Sequence, residues 1–154
     1  MSKILISIIV LLFTFAFSGV SHAGQCNITA TPLSFGVYDI FNPTPITSTA
    51  TLSINCKNPP KIATTVTVQL STGNSGNFSQ RNMVSATGAQ LLYNIYTDAT
   101  AANVFGDGNG NSGSPSRIVD KFNPWEINLY GQILPLQNVP VGVYSDTLTA
   151  TILW

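Results

Sequence analysis

The stretch ITSTATLSINC, residues 46–56, alternates apolar and polar side chains, apart from Ser48. Its apolar face carries Ile46, Ala50, Leu52, Ile54 and Cys56. Its polar face carries Thr47, Thr49, Thr51, Ser53 and Asn55. A two-residue period is typical of a strand that buries one face and exposes the other. The stretch therefore predicts a half-buried β-strand, and the neighbouring sequence extends the pattern in both directions.

The residues on either side of this stretch predict two further strands. After the break at Asn58-Pro59-Pro60, the segment 62–70 points Ile62, Val66, Val68 and Leu70 inward and Thr65, Thr67 and Gln69 outward. Upstream, residues 27–38 carry Ile28, Leu33, Phe35 and Val37 around Pro32. Proline cannot donate to a strand ladder, so this segment is predicted to be a bent or edge strand beside residues 46–56.

The second half of the chain predicts three more strands, at 91–97, 127–133 and 144–154. The last is predicted as one strand with Leu148, Ala150, Ile152 and Trp154 facing inward and Thr147, Thr149 and Thr151 facing outward. A long Gly/Asn/Ser-rich loop is predicted over 106–116. No segment shows a helical apolar period, and short strands between Gly/Pro/Asn turns indicate an all-β, antiparallel β-sandwich.

The N-terminus has the pattern of a cleavable signal peptide over residues 1–23. Lys3 precedes an apolar run over residues 4–17, and Ser21-His22-Ala23 forms a small-x-small cleavage site. The run is interrupted by polar residues and is shorter than the roughly 20 residues a spanning helix needs, so stable membrane insertion is not expected. The chain is predicted to be exported and to begin near Gly24, leaving one domain over residues 24–154.

Two cysteines, Cys26 and Cys56, follow the predicted cleavage site. An exported chain meets an oxidising environment, where an even cysteine count indicates a bridge, and this pair is the one intramolecular pairing available. The chain-entropy model assigns about 3 to 4 kcal/mol to closing a loop of roughly 30 residues. We predict a structural disulfide, since no C-x-x-C motif is present.

Composition disfavours catalysis, cofactors and nucleic acid. Charged residues make up 8% of the chain and its formal net charge is zero, so no basic stripe is available for phosphates. The only histidine, His22, lies in the predicted signal peptide, which removes Ser-His-Asp and Cys-His mechanisms and an imidazole metal ligand. Asp107-Gly108-Asn109 resembles the start of a calcium loop, but Ser112 and Ile118 stand where glycine and glutamate are required. We predict no enzyme, metal or cofactor.

Aromatic side chains leave open a sugar-binding alternative. Rings that could stack on a sugar belong to Tyr93, Tyr96, Trp125, Tyr130 and Trp154. Core packing is the competing role for those on inward faces. Trp125, beside Pro124, is the most exposed candidate by pattern.

Ordered blocks along the chain resemble the spore coat protein U family. The first is FGVYD, residues 35–39, between Cys26 and the Thr-rich strand that ends at Cys56. Later blocks in the same order are RNM at 81–83, LYNIYTD at 92–98, VFGDG at 104–108, YG at 130–131 with Gln137, and VPVGVYSD at 139–146. The resemblance covers essentially the whole chain after the signal peptide.

The resemblance implies a subunit of an archaic, Csu-type chaperone-usher pilus. Such subunits have an incomplete immunoglobulin-like fold that lacks its last strand, and a neighbouring protein donates one. The expected partners are a periplasmic chaperone, an outer-membrane usher and neighbouring pilus subunits, with transit through the periplasm to the cell surface. The expected chaperone and donor-strand edge comprises Tyr144, Leu148, Ala150, Ile152 and Trp154.

Uncovered apolar residues at that edge support the idea of an incomplete fold. Leaving about five apolar side chains uncovered would forfeit roughly 8 to 15 kcal/mol, which is comparable to the whole stability of a domain. Ordinary fibre subunits of this family carry their donor segment ahead of the first cysteine. Here Gly24 and Gln25 would precede Cys26 after cleavage, a span of roughly 7 Å.

We therefore expect a tip or minor capping subunit with a structural or adhesive role in surface attachment or biofilm formation. The alternative is a self-sufficient secreted domain of the same fold, similar to a spore coat protein or a carbohydrate-binding domain.

Overall fold

The computed structural model describes residues 25–57, 64–119 and 124–154. The predicted signal peptide and Ile62 lie outside these residues. The strands are β1 Gln25–Ala30, β2 Ile46–Lys57, β3 Thr64–Leu70, β4 Arg81–Ser85, β5 Gln90–Tyr96, β6 Val104–Phe105, β7 Ser112–Gly113, β8 Ser116–Val119, β9 Trp125–Ile133, β10 Tyr144–Ser145 and β11 Ala150–Leu153. One 3-10 turn, Gly73–Ser75, follows β3.

These strands form the two sheets of an immunoglobulin-like β-sandwich, as the sequence predicted. The larger sheet has the order β1-β2-β9-β5-β4-β10, with the short strands β6 and β7 attached beside β5. The smaller sheet has the order β11-β3-β8. Pairing is antiparallel throughout, apart from the parallel contact between β6 and β7.

The alternating stretch 46–56 lies in β2, one of the inner strands of the larger sheet. It pairs with β9 from Ile46 opposite Ile133 to Ile54 opposite Trp125. Ala50, Leu52, Ile54 and Cys56 are buried, which confirms the predicted inward face. From the smaller sheet, Val66, Val68 and Leu70 of β3 contribute to the same core.

The first strand lies at the edge of the larger sheet, as predicted, and is held there by a disulfide. Cys26 of β1 is directly opposite Cys56 of β2 in the ladder, and the two are bonded with their Cα atoms 3.9 Å apart. The predicted strand over 27–38 is too long, because β1 ends at Ala30, before Pro32, and residues 31–38 are outside any strand. The predicted pairing of Cys26 and Cys56 is therefore confirmed.

The interpretation of the later part of the chain also needs correction. The predicted loop over 106–116 contains β7 and the first residue of β8. The predicted terminal strand is two strands, with β10 paired to β4 in the larger sheet and β11 paired to β3 in the smaller one. Trp154, predicted to face inward, is 55% exposed because it lies beyond the last rung of the β11 ladder.

Candidate functional site

A long apolar groove runs along the seam between the two sheets. It consists of two adjoining cavities of about 560 and 710 Å³ that share Leu33, Phe35, Met83 and Tyr144. We call residues 28–41 the first wall and residues 139–150 the second wall. The floor consists of core side chains: Leu52, Leu70, Met83, Leu91, Tyr93, Ile95, Leu129 and Ile133.

The first of the two cavities is lined in part by residues of two edge strands, β1 and β11. β1 is the outermost strand of the larger sheet, and β11 is the outermost strand of the smaller one. No other strand in the described part of the chain pairs with their outer edges. Because unpaired N–H and C=O groups at a sheet edge can bind a further strand, the groove offers backbone partners as well as an apolar floor.

The first wall is fixed to the larger sheet by hydrogen bonds and by a missing side chain. The Ser48 hydroxyl donates to the Ser34 carbonyl (2.6 Å), and the Tyr38 hydroxyl donates to the Leu134 carbonyl (3.0 Å). Gly131 of β9 lies beneath this wall, where a Cβ would come within 2.6 Å of Leu33 and 2.7 Å of Phe35. Glycine at this position therefore lets both apolar side chains pack on the sheet.

The side chain of Gln137 takes the place of a neighbouring strand beside Leu92 of β5, close to the groove. The Gln137 side chain accepts a hydrogen bond from the Leu92 amide and donates one to the Leu92 carbonyl, both at 2.8 Å. The backbone N–H of Gln137 in turn donates to the Tyr38 hydroxyl (2.7 Å). These bonds connect the first wall to the segment that leads into the second.

The second wall is the segment in which the terminal strand changes sheets. Asp146 lies at the break: its carboxylate accepts from the Asn74 amide (3.0 Å), the Thr147 amide (2.8 Å) and the Tyr93 hydroxyl (2.7 Å). Three residues further on, the backbone of Thr149 bonds to Ser71. Its N–H donates to the Ser71 hydroxyl and its carbonyl accepts from the Ser71 N–H, each at 2.9 Å. These bonds replace the ladder of the single strand that the sequence predicted.

The structure brings together three of the five predicted edge residues. Tyr144 lines both cavities, and Leu148 and Ala150 line the first. Ile152 packs against the core further along β11. Trp154 lies outside the groove lining.

Sequence reasoning missed the exposed apolar rim at one end of the groove. Val37 and Phe41 on the first wall are 91% and 82% exposed, and Val141 and Val143 on the second are 107% and 87% exposed. Contiguous exposed apolar side chains of this kind mark interaction sites. The apolar run VPVGV at 139–143, set in a turn region where polar residues are usual, was the available signal.

Trp125, Tyr93 and Asp107, candidates for sugar or calcium binding, have structural roles. Trp125 and Tyr93 are 8% and 5% exposed, so the predicted exposure of Trp125 is wrong and its ring packs in the core. The Asp107 carboxylate accepts from the Asn109 amide (2.9 Å) and the Ser112 hydroxyl (3.1 Å), which closes its own loop. The described residues contain no cluster of His, Cys, Asp and Glu that could hold a metal ion, and no helix there is long and apolar enough to cross a membrane.

The fold and groove define a class: an immunoglobulin-like β-sandwich with an apolar groove along one seam. A family model, the Spore Coat Protein U domain, matches residues 11–151. The chain belongs to this family, which confirms the resemblance seen in its sequence blocks.

The chain is also similar to a solved structure. The chain is similar to one chain of the CsuC-CsuE chaperone-tip adhesion subunit pre-assembly complex from archaic chaperone-usher Csu pili of Acinetobacter baumannii. The two are 25% identical with a TM-score of 0.55, and the match covers 86% of this chain and 40% of the other. No curated protein matches the chain significantly.

Proposed function

We propose that this protein is a subunit of an archaic chaperone-usher pilus and that its groove accepts an extended strand from a partner. The observation that carries the proposal is the groove between the free edges of β1 and β11, with core side chains along its floor. A strand seated there would pair with the sheet edges through its backbone and fill the groove with alternate side chains. Membership of the Spore Coat Protein U family and the similarity to a Csu complex support the same conclusion.

The proposed route is export, periplasmic transit and incorporation at the cell surface. A chaperone would cover the groove during transit, an outer-membrane usher would receive the subunit, and a strand from a neighbouring subunit would then replace the chaperone. Surface attachment and biofilm formation are the proposed outcomes. Cover is needed because exposed apolar grooves and free sheet edges are aggregation hazards.

Within the pilus we propose a tip or minor capping position. β1 begins at Gln25 and is paired with β2 from that residue on, so it is already used within its own sheet. A donor segment would have to precede it, and cleavage after Ala23 would leave one residue, Gly24, ahead of β1. The mass of the exported chain tests this point: cleavage well upstream of Ala23 would contradict it.

The direct test is co-expression with the periplasmic chaperone from the same genome. We expect the chain to co-purify with the chaperone and to aggregate without it. The matched variants are Leu148→Asp, which places a charge in the groove, and Thr149→Asp, which places it on the exposed side of the same segment. Leu148→Asp should lose the complex and Thr149→Asp should keep it. A stable monomer that ignores the chaperone would overturn the proposal and favour a self-sufficient secreted domain.

A further inference from the structure

One floor residue of the groove contacts both walls. Tyr93 of β5 is 5% exposed and donates its hydroxyl to Asp146 of the second wall at 2.7 Å. Its ring meets Phe35 of the first wall edge-to-face, with ring centroids 5.9 Å apart and planes at 70°. Burial raises the pKa of the Tyr93 phenol, and the bond to Asp146 raises it further, so the hydroxyl remains protonated and able to donate.

The Asp146 carboxylate is also seated against the 3-10 turn. It accepts from the Asn74 amide, and the absence of a side chain at Gly73 makes room for it. A Cβ on Gly73 would overlap the carboxylate, coming within 2.7 Å of its Cγ. Asp146 is therefore fixed from three directions at the point where the terminal segment leaves one sheet for the other.

A buried cation lies in the same part of the core. The Arg81 guanidinium is fully buried and donates to the Ser71 carbonyl (2.7 Å), the Phe105 carbonyl (2.7 Å) and the Asn94 side-chain oxygen (2.7 Å). These acceptors are neutral. Burial lowers the pKa of Arg81, while the nearby Tyr93 and Asp146 raise it, so the Asp146 carboxylate helps to balance the buried charge.

We infer that Asp146 and Tyr93 form a positioning pair that sets the separation of the two groove walls and thereby determines how tightly a partner strand is held. This inference rests on the proposed function, because it assigns the pair a role in strand acceptance. The pair touches Phe35 on one side and the strand switch on the other, so displacing it shifts the lining of both walls.

The 3-10 turn offers a matched pair of substitutions. Gly73 and Gly76 have nearly equal positive φ angles, 65° and 67°, so alanine meets the same backbone strain at each. A Cβ at Gly73 collides with Asp146, whereas a Cβ at Gly76 has no neighbour within 4 Å. We expect Gly73→Ala to speed release of the chaperone about tenfold or more, the usual effect of losing a hydrogen bond to a charged group, and Gly76→Ala to leave release unchanged.

A second pair changes only a hydroxyl group. Tyr93→Phe removes the bond to Asp146, and Tyr130→Phe makes the same change on β9, outside the groove lining. We expect faster release for Tyr93→Phe and not for Tyr130→Phe. Tyr93→Phe decides the question if Gly73→Ala does not accumulate as folded protein.

Wall separation can be read directly in the chaperone complex. Val37 and Val143 lie on opposite walls and are exposed, so spin labels on cysteines placed there report the distance between the walls. Gly73→Ala and Tyr93→Phe should change or broaden that distance, and their controls should not. Unchanged release and unchanged distance would overturn the inference and leave the proposed function intact. Failure of the unsubstituted chain to bind the chaperone would overturn both.

Discussion

Arg81 shows how a single residue can organise the interior of this sandwich. Its side chain is fully buried, lies 5.4 Å from the Phe78 ring centroid and donates to acceptors on three different segments. β4 did not stand out in the sequence because its first two residues, Arg81 and Asn82, are polar yet buried. A pattern based on apolar periodicity cannot find a strand whose buried positions hold polar side chains.

Replacing Arg81 with lysine should be strongly destabilising. Lysine keeps the charge but cannot reproduce the planar set of donors, so carbonyls of Ser71 and Phe105 would lose partners. We expect a loss of about 3 kcal/mol in the free energy of unfolding, measured in urea. Arg117→Lys, the same change on exposed β8, is the control and should cost less than about 0.5 kcal/mol. Equal losses would contradict the role given to Arg81.

Asp98 should make stability depend on pH at the acid end. Its carboxylate accepts hydrogen bonds from the amides of Thr100, Ala102 and Asn103. Hydrogen bonds hold the pKa of Asp98 well below the usual range, and the bond from the Thr100 hydroxyl contributes most. A lowered folded-state pKa contributes stability that is present above the unfolded pKa, about 3.9, and is lost as pH falls below it.

The measurement is the unfolding free energy of the unsubstituted chain minus that of Asp98→Asn. We expect this difference to stay constant between pH 5 and 8 and to shrink below about pH 4. A difference that grows on acidification would show that the carboxylate is not stabilised in the folded chain.

At the scale of elements, the strands with strict alternation were predictable and the terminal one was not. β2, β3 and β9 follow their apolar pattern, and β1 lies at an edge as Pro32 suggested. The terminal segment keeps its alternation across 144–153 while its partner changes from β4 to β3. Alternation reports which side of a strand is buried, but it does not report which sheet the strand joins. Asp146, which makes the change, has no distinguishing sequence pattern.

The disulfide should control the attachment of β1. Replacing Cys26 and Cys56 with alanine frees an edge strand whose only ladder partner among the described residues is β2. We expect a loss of about 3 to 4 kcal/mol in unfolding free energy and faster amide exchange in β1 than in β9. Reductant should destabilise the unsubstituted chain and have no effect on the double variant. Equal exchange in both strands would argue against local detachment.

The first wall should be sensitive to a single methyl group beneath it. Gly131→Ala would push Leu33 and Phe35 off the larger sheet, an overpacking effect of about 1 to 3 kcal/mol. Gly113→Ala on β7 is a suitable control, because its nearest contact is 3.8 Å away. Chemical unfolding of both variants measures the difference. A Gly131→Ala variant as stable as Gly113→Ala would show that the wall is free to move.

For the whole molecule, the sandwich and its open seam were expected from the sequence, the first from strand patterns and the second from resemblance to a family. The groove floor was foreseeable as inward-facing strand residues. The rim residues Val37, Phe41, Val141 and Val143 were not, because exposure outside regular strands follows the path of the chain and leaves no periodic signal.

A strand supplied in the same chain should complete the fold. We expect a flexible linker and an alternating apolar/threonine segment, added after Trp154, to raise the free energy of unfolding by about 5 kcal/mol, since groove burial exceeds the cost of ordering the segment. The control segment has the same composition shifted by one position, which turns its apolar side chains out of the groove. Equal stability of the two fusions would contradict strand acceptance.

The strand switch at Asp146 also has a mechanical consequence. Residues 144–145 are bonded to the larger sheet and residues 150–153 to the smaller one. A strand seated along the second wall would therefore be supported by both sheets. Tension on that strand would be divided between the two ladders and directed along them, so that several bonds must shear together instead of opening in sequence. In the proposed pilus, the strand switch would therefore share the load on such a junction between the two sheets.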